Sequence, residues 1–236
     1  MEKIGYGAVR DKDIRDCLYG AFLVYIYKNN RKRGTKMENA VLTVDWNLLG
    51  NISYRSELGK SLKNTLRKFN KDELFDELDT MISYFTEYAT EEAIPHENRI
   101  KSLQSCELKY EKYFPAGPVE KTFNDILGLR IVIDDYEVFD QLELPDHVKV
   151  ADMRNGKAND DGYRGIHLYY QKDHYHYPIE VQFVTAHDRQ FNEWLHIYVY
   201  KYIADENVGI HLRQLYDTGK ITKGSQFVEE LRKCVT

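Results

Sequence analysis

Apolar and polar residues alternate along two short stretches of this 236-residue chain, at 166–170 and 179–183. The side chains of a strand point to opposite faces with period two, so the alternation predicts two β-strands. Their apolar members can enter a core, whereas His167, Glu180 and Gln182 lie on the other face. A continuous β-branched run at 131–133 predicts a strand buried on both faces, and residues 148–153 predict another.

Apolar residues at spacings of three and four predict helices in most of the remaining chain. The predicted helices cover 11–29, 56–69, 70–85, 98–114, 187–202 and about 226 to the end. Asn70 and Glu73 resemble a capping box, and residues 41–46 predict a short extended piece. Pro95 separates the two patterns, which predicts an N-terminal helical region over 1–94 and a mixed α/β (α+β) domain with C-terminal helices over 95–236.

Composition restricts the class of protein. A hydrophobic fraction of 42% is typical of a globular chain, and a net charge of -5 argues against binding nucleic acid through the overall field, while a local basic patch remains open. Cys17, Cys106 and Cys234 form no CxxC pair, which argues against a disulfide framework or a zinc site. With no long apolar run, these features predict a cytoplasmic protein without a membrane segment.

Two groups of basic residues have a functional and a plainer interpretation. The first group has no acidic residue among its members and forms either a solvated helix end or a contact for a phosphate backbone. Its members are Lys28, Arg31, Lys32, Arg33 and Lys36. In the predicted helix over 98–114, Lys101, Ser105 and Lys109 form a polar stripe, with Arg99 nearby. Such a stripe usually faces water, but two lysines, a hydroxyl and a guanidinium can also hold phosphate oxygens.

Acidic residues mark the predicted strands. Asp125 lies just before the strand at 131–133, and an acid at the edge of a central strand is a usual metal position in phosphoryl-transfer sites. Glu180 and His167 lie on strands that are expected to be central. A salt bridge would explain this pair, and a site on the open face of the sheet would also explain it.

Four segments, in this order, resemble the synthetase domain of the RelA/SpoT family, and specifically the small single-domain alarmone synthetases. Arg99 to Lys109 is similar to the family's R-x-K-x3-S-x3-K segment, and Asp125 to Arg130 is similar to its D-x-x-G-x-R. Asp161 to His167 resembles the GYRSxH loop, and Glu180 to Gln182 resembles the ExQ of its EIQIRT strand.

The resemblance implies a nucleotidyltransferase-like mixed sheet flanked by helices. It also implies Mg²⁺-dependent transfer of the β,γ-pyrophosphate of ATP to the 3′-hydroxyl of GDP or GTP, which makes the alarmone (p)ppGpp. Asp125 and Glu180 would be catalytic and would hold the metal, with Glu180 as the general base. The ATP site would contain Arg99, Lys101, Ser105, Lys109 and Arg130, and the acceptor site would contain Tyr163, His167, Gln182 and Lys157.

The acceptor half departs from the family pattern. Val184 stands where EIQIRT has arginine, and Gly165 stands where GYRSxH has serine. Neither Arg189 nor Asn192 aligns cleanly with the asparagine of the guanine-specific members. One alternative is therefore a toxin-type relative that pyrophosphorylates the 3′-CCA end of tRNA, with Lys28, Arg31, Lys32 and Arg33 as tRNA contacts and a separate antitoxin as partner. A non-catalytic nucleotide sensor is a further alternative, and the resemblance also implies a homo-oligomer.

Overall fold

A computed structural model describes residues 24–28, 40–90, 97–200 and 206–235. The strands are β1 (Val24–Lys28), β2 (Ala40–Val44), β3 (Asn98–Ile100), β4 (Leu127–Ile133), β5 (Val148–Asp152), β6 (Ile166–Tyr170) and β7 (Ile179–Thr185). The α-helices are α1 (Trp46–Ile52), α2 (Lys71–Thr90), α3 (Leu103–Tyr113), α4 (Val119–Thr122), α5 (Ala186–Trp194), α6 (Glu206–Asp217) and α7 (Gly224–Val235). Short 3₁₀-helices occur at Leu66–Lys68 and Tyr136–Gln141, and α5 continues into a π-helical turn at Leu195–Val199.

The central element is a five-stranded sheet with the order β3-β4-β7-β6-β5. Strands β4 and β7 are parallel, and the other neighbours are antiparallel. A separate antiparallel pair is formed by β1 and β2. These observations confirm the predicted mixed sheet flanked by helices.

The register divides the sheet into an apolar face and a polar face. Gly128 lies opposite Glu180, and Gln182 lies between Arg130 and His167 on the two neighbouring strands. Because directly opposite residues share a face, these polar side chains lie together. The alternate positions pack in one core with side chains of α2 and α3; they include Leu127, Leu129, Ile131, Leu168, Val181 and Phe183.

This main core contains side chains from both sides of Pro95. Leu42, Leu49 and Phe85 belong to the same buried cluster as the residues of β4, β6 and β7. A second, smaller core lies between α5, α6 and α7 and includes Phe191, Leu212 and Phe227, together with Tyr163 from the loop before β6. Among the described residues, none of the helices has the length and apolar character needed to cross a membrane.

The helix predicted over 11–29 is wrong at its C-terminal end. Val24–Lys28 is strand β1, which pairs with β2 from Val24 opposite Val44 to Lys28 opposite Ala40. The sequence VYIYK alternates and is rich in β-branched and aromatic residues, which favours a strand over a helix. The rest of that predicted helix lies outside the described residues, while β2 confirms most of the extended piece predicted over 41–46.

The helix predicted over 56–69 is also wrong, because the backbone makes tertiary hydrogen bonds instead. The amide of Ser56 donates to the carbonyl of Tyr175 (2.8 Å), and the amide of Leu62 donates to the carbonyl of His174 (2.8 Å). The Ser56 hydroxyl donates to the buried Glu77 carboxylate on α2 (2.8 Å) rather than capping a helix. Leu62 and Leu66 are nevertheless fully buried. The apolar spacing therefore identified buried side chains correctly, although the backbone that carries them is not an α-helix.

The stretch 98–114 divides into a strand and a helix. Asn98–Ile100 pairs antiparallel with β4, and α3 begins only at Leu103, with the Ser102 side chain accepting from the Ser105 amide. Lys101 therefore precedes the helix, and the continuous stripe predicted for Lys101, Ser105 and Lys109 is wrong at its first member. Helix α2 begins next to Asn70, whose side chain accepts from the amides of Asp72 and Glu73, as predicted.

The C-terminal helices are confirmed with one addition. Helix α5 and its π-helical turn extend over Ala186–Val199, which overlaps most of the helix predicted over 187–202. Helix α7 covers the predicted last helix. Helix α6 (Glu206–Asp217) was not predicted.

Candidate active site

A cleft of ≈ 240 Å³ opens on the polar face of the sheet, along β3, β4 and β7. Five residues predicted from the sequence line it, namely Arg99, Asp125, Arg130, Glu180 and Gln182. They come from segments as distant in the chain as Arg99 and Gln182, and the sheet register brings them together.

Asp125 lies between two lysines at one side of the cleft. Lys101 Nζ is 2.7 Å from Oδ2, and Lys109 Nζ is 2.8 Å from Oδ1. Burial alone would raise the pKa of Asp125, but the two ammonium groups outweigh it and hold the pKa below its usual range. Asp125 is therefore ionised at neutral pH, and both lysines are within reach of whatever this carboxylate binds.

Glu180 is buried and oriented by two neighbours on the polar face. His167 Nδ1 lies 3.0 Å from Oε1, and the Gln182 amide donates to Oε2 (2.7 Å). Burial would raise the pKa of Glu180, but the hydrogen bonds from His167 and Gln182 hold it below its ordinary value. The salt-bridge interpretation and the site interpretation therefore both apply, since Glu180 contacts His167 and also lines the cleft.

Two arginines supply positive charge at the cleft. Arg99 on β3 is exposed, and Arg130 on β4 is half-buried. The Arg130 guanidinium lies 3.4 Å from the Gln182 side-chain oxygen, which is a long contact. Neither arginine is ion-paired with a carboxylate among the described residues, so both can bind an anion without first breaking such a pair.

Tyr163 is buried beside the cleft, with 7% of its surface exposed. Its hydroxyl lies 2.7 Å from His167 Nε2, which extends the chain from Glu180 through His167. Lys157 Nζ lies 4.9 Å from the centre of the Tyr163 ring and 2.6 Å from Asp161 Oδ2. The ring that the resemblance assigns to base stacking thus lies beneath a lysine in this structure.

The remaining predicted site residues lie apart from the cleft or outside the described residues. Ser105 is in the first turn of α3, with its hydroxyl 2.9 Å from that of Ser102, and it does not line the cleft. Lys28 ends β1, but its side chain is not described, and Arg31, Lys32 and Arg33 lie outside the described residues. Their suggested tRNA contact stays a prediction.

Sequence reasoning missed two charged residues that line the cleft, Glu97 and Arg189. The Arg189 guanidinium lies 2.6 Å from the Glu97 carboxylate and 3.2 Å from Glu193. Glu97 and Arg189 are separated by 92 positions, so no local spacing could have joined them. The resemblance drew attention to Arg189 only as a position that departs from the family.

The donor set can accept a magnesium ion. The described residues contain no group of three or more His, Cys, Asp or Glu side chains arranged to hold a metal. Mg²⁺ usually binds one or two carboxylates together with water and substrate phosphates, and Asp125 and Glu180 line the same cleft. Two carboxylates beside Lys101 and Lys109 fit a metal that arrives with a polyphosphate.

Comparison with solved structures gives similar chains from Bacillus and Streptococcus. One is the small alarmone synthetase 1 from Bacillus subtilis bound to its product pppGpp, with 22% identity over 69% of this chain and 89% of that chain, and a TM-score of 0.40. Another is a GTP pyrophosphokinase family protein from Streptococcus pneumoniae, with 20% identity over 68% and 96% of the two chains and a TM-score of 0.38. No curated protein matches the chain.

A family model gives the most direct assignment. The model described as a region found in RelA/SpoT proteins matches residues 98–205. This segment begins at β3 and contains each of the cleft residues predicted from the sequence. Through this region, the chain is similar to RelA/SpoT proteins.

Proposed function

We propose that this protein transfers the β,γ-pyrophosphate of ATP to the 3′-hydroxyl of GDP or GTP and so makes (p)ppGpp. The match of residues 98–205 to the region found in RelA/SpoT proteins supports a GTP pyrophosphokinase-like enzyme. The observation that carries the proposal is the arrangement in the cleft, where a lysine-bound Asp125 and an oriented Glu180 face the same space. Both carboxylates and the surrounding cations are what pyrophosphate transfer requires.

The donor side of the cleft is suited to a polyphosphate. Lys101 and Lys109 are held by Asp125, and Arg99 and Arg130 add two guanidinium groups. When ATP binds, its phosphate oxygens compete with Asp125 for the lysines. Transfer of a phosphoryl group depends mainly on in-line positioning and on charge stabilisation, which these four cations supply.

The acceptor hydroxyl needs a base, and Glu180 is ionised and oriented for that role. In the reaction, the acceptor 3′-oxygen forms a bond to the β-phosphorus, the bond from that phosphorus to the α,β-bridging oxygen breaks, and AMP leaves. Glu180 accepts the hydroxyl proton. His167 and Gln182 hold one oxygen each of its carboxylate, which fixes the direction from which the proton is taken.

Asp125 and Glu180 would hold Mg²⁺, and the ion would offset phosphate charge during transfer. The cleft volume of ≈ 240 Å³ is smaller than pockets that enclose a drug-sized ligand. We therefore expect the cleft to hold the reacting phosphates, with the rest of each nucleotide extending beyond it.

The test is transfer of label from γ-labelled ATP in the presence of Mg²⁺, with GDP, GTP and deacylated tRNA offered in parallel. We expect label on GDP or GTP with the wild-type protein. We expect a loss of at least about 100-fold in Glu180→Gln, since general-base catalysis contributes roughly 10²–10⁴-fold. The matched control is Glu111→Gln, an exposed carboxylate on α3 that pairs with Lys71 and does not line the cleft.

Each outcome separates the candidates. Label on tRNA alone would show that tRNA, and not GDP or GTP, is the acceptor. It would support the toxin-type alternative, which needs a separate antitoxin. Nucleotide binding without transfer would support a sensor. Equal transfer by wild type and Glu180→Gln would remove Glu180 from the role of base.

A further inference from the structure

We propose that Arg189 binds the 5′-phosphate of the acceptor nucleotide and that Glu97 holds this arginine when the phosphate is not bound. The inference rests on the proposed function and identifies a residue that determines acceptor binding in it. It starts from the acceptor half of the sequence, where Val184 replaces the arginine of the EIQIRT pattern. Val184 is buried and carries no charge, so this position of β7 supplies no cation to an acceptor phosphate.

Helix α5 offers two polar side chains for this task, Asn192 and Arg189, and Asn192 is already used. Its side-chain oxygen accepts from the amide of Arg164 (3.2 Å), and its side-chain amide donates to the carbonyl of Arg164 (2.7 Å). It is buried, with 6% of its surface exposed. Asn192 therefore fixes the loop before β6, and both its side-chain oxygen and its side-chain amide are already hydrogen-bonded to Arg164.

Arg189 lies where the two halves of the site meet. It lines the main cleft with Asp125 and Glu180, and it also lines a shallow recess with Tyr163 and Val184. Its side chain remains 34% exposed. A guanidinium in this position can present its planar fork to phosphate oxygens.

The distribution of charge favours the acceptor over ATP as the ligand of Arg189. The donor side already has Arg99, Lys101, Lys109 and Arg130. On the acceptor side, the one lysine or arginine that the resemblance assigns is Lys157, which is paired with Asp161 at 2.6 Å. Arg130 and Arg189 both line the recess with Tyr163, and Arg130 is already assigned to ATP, which leaves Arg189 for the acceptor.

The partners of Arg189 suggest an exchange of anions. Glu97 precedes β3 and lines the cleft, and its carboxylate lies 2.6 Å from the Arg189 guanidinium. A phosphate entering the cleft presents the same kind of oxygen atoms to the same nitrogen atoms. Glu97 therefore competes with the phosphate, and removing its charge should favour phosphate binding.

The experiment measures binding without turnover, by calorimetry with GDP, guanosine, deacylated tRNA and α,β-methylene-ATP, in which the bond that breaks is blocked. For Arg189→Gln we expect GDP affinity to fall roughly 10- to 100-fold, the usual range for a lost charge-assisted hydrogen bond. Guanosine and α,β-methylene-ATP should bind as they do to the wild type. For Glu97→Gln we expect GDP to bind about two- to fivefold more tightly.

Controls keep the test independent of folding. Arg67→Gln removes an exposed arginine that does not line the cleft, and Glu111→Gln removes an exposed carboxylate; neither should change GDP affinity. Arg189→Lys keeps the charge without the fork and should lie between wild type and Arg189→Gln. If Arg189→Gln does not fold, Arg189→Lys and Glu97→Gln still test the proposal.

Several results would overturn the inference. One is unchanged GDP affinity in Arg189→Gln. Another is a loss of affinity in Arg189→Gln that is equal for guanosine and GDP, or that is confined to α,β-methylene-ATP. Weaker GDP binding in both Arg189→Gln and Glu97→Gln would show that the ion pair has only a structural role. If tRNA is the acceptor, the same changes should appear in tRNA binding. Absence of label transfer by the wild type contradicts the proposed function, whereas intact transfer with unchanged affinity in Arg189→Gln contradicts this inference alone.

Discussion

Gly165 shows how one atom can set the position of a functional side chain. A Cβ added there would lie 3.3 Å from both Cε1 and the hydroxyl of Tyr163, and 3.2 Å from Val184 Cγ1. These distances are tighter than ordinary van der Waals contacts. The two departures from the family pattern, Gly165 and Val184, therefore lie beside the same tyrosine, whose hydroxyl contacts His167.

The substitution Gly165→Ser should displace the Tyr163 ring. We expect a loss of about 1–3 kcal/mol in the free energy of unfolding, because overpacking a close-packed site costs this much. Urea denaturation measures the change. The control is Gly224→Ser at the first residue of α7, where the added Cβ would make an ordinary contact of 3.4 Å with Trp194. Its effect should stay within about 0.5 kcal/mol, and equal stability of the two variants would contradict the packing argument.

Helix α5 connects the sheet, the cleft and the second core through different faces. Arg189 faces the cleft, Asn192 fixes the Arg164 backbone, and Phe191 is buried among α6 and α7. On a further face, Asp188 is buried and accepts from Arg213 on α6 (2.5 Å) and from the Tyr136 hydroxyl (2.7 Å). Helix α6 thereby holds α5, and with it the cleft residue Arg189, in place.

Removing the guanidinium in Arg213→Ala should destabilise the protein by about 3–5 kcal/mol, since a buried charge loses its partner. The side chains of Arg213 and Asp188 are only 9% and 6% exposed, so water cannot replace the pair. Thermal or urea unfolding checks this expectation. Lys220→Ala, an exposed position after α6, is the control and should change little. A loss below about 1 kcal/mol in Arg213→Ala would show that the pair does not hold the helices together.

The main core joins parts of the chain that the sequence pattern separated. Leu42, Leu49 and Phe85 pack in one cluster with Leu129 and Phe183 from the central sheet. The family match begins only at residue 98, so the matched region shares its core with residues that precede it. Deleting the preceding part would expose the apolar face of the sheet.

We therefore expect the fragment 95–236 to lack a cooperative unfolding transition. Each fully buried leucine or phenylalanine contributes about 1.5–3 kcal/mol, and loss of several exceeds the usual stability of a domain. Circular dichroism during thermal unfolding measures the transition, and the fragment 24–236, which retains the described core residues, is the control. Cooperative unfolding of 95–236 would instead support the predicted boundary at residue 94/95.

Much of the site could be predicted from the sequence because strands and motifs are local features. Alternation placed His167, Glu180 and Gln182 on one face, and the motif spacing identified Asp125 and Arg130. The register confirms these positions. Local patterns failed at 56–69 and 98–100, where backbone hydrogen bonds to distant segments replaced the helix that the apolar spacing predicted.

The sequence by itself determined the polar face of the sheet and most of the charged groups that line the cleft, since side-chain direction in a strand follows from the order of residues alone. Only the tertiary structure decided the pairing of Arg189 with Glu97, the use of Asn192 on the Arg164 backbone and the burial of Tyr163. Each of these depends on how helices pack against the sheet. That packing balances the burial of many side chains at once, and no single segment of the sequence contains it.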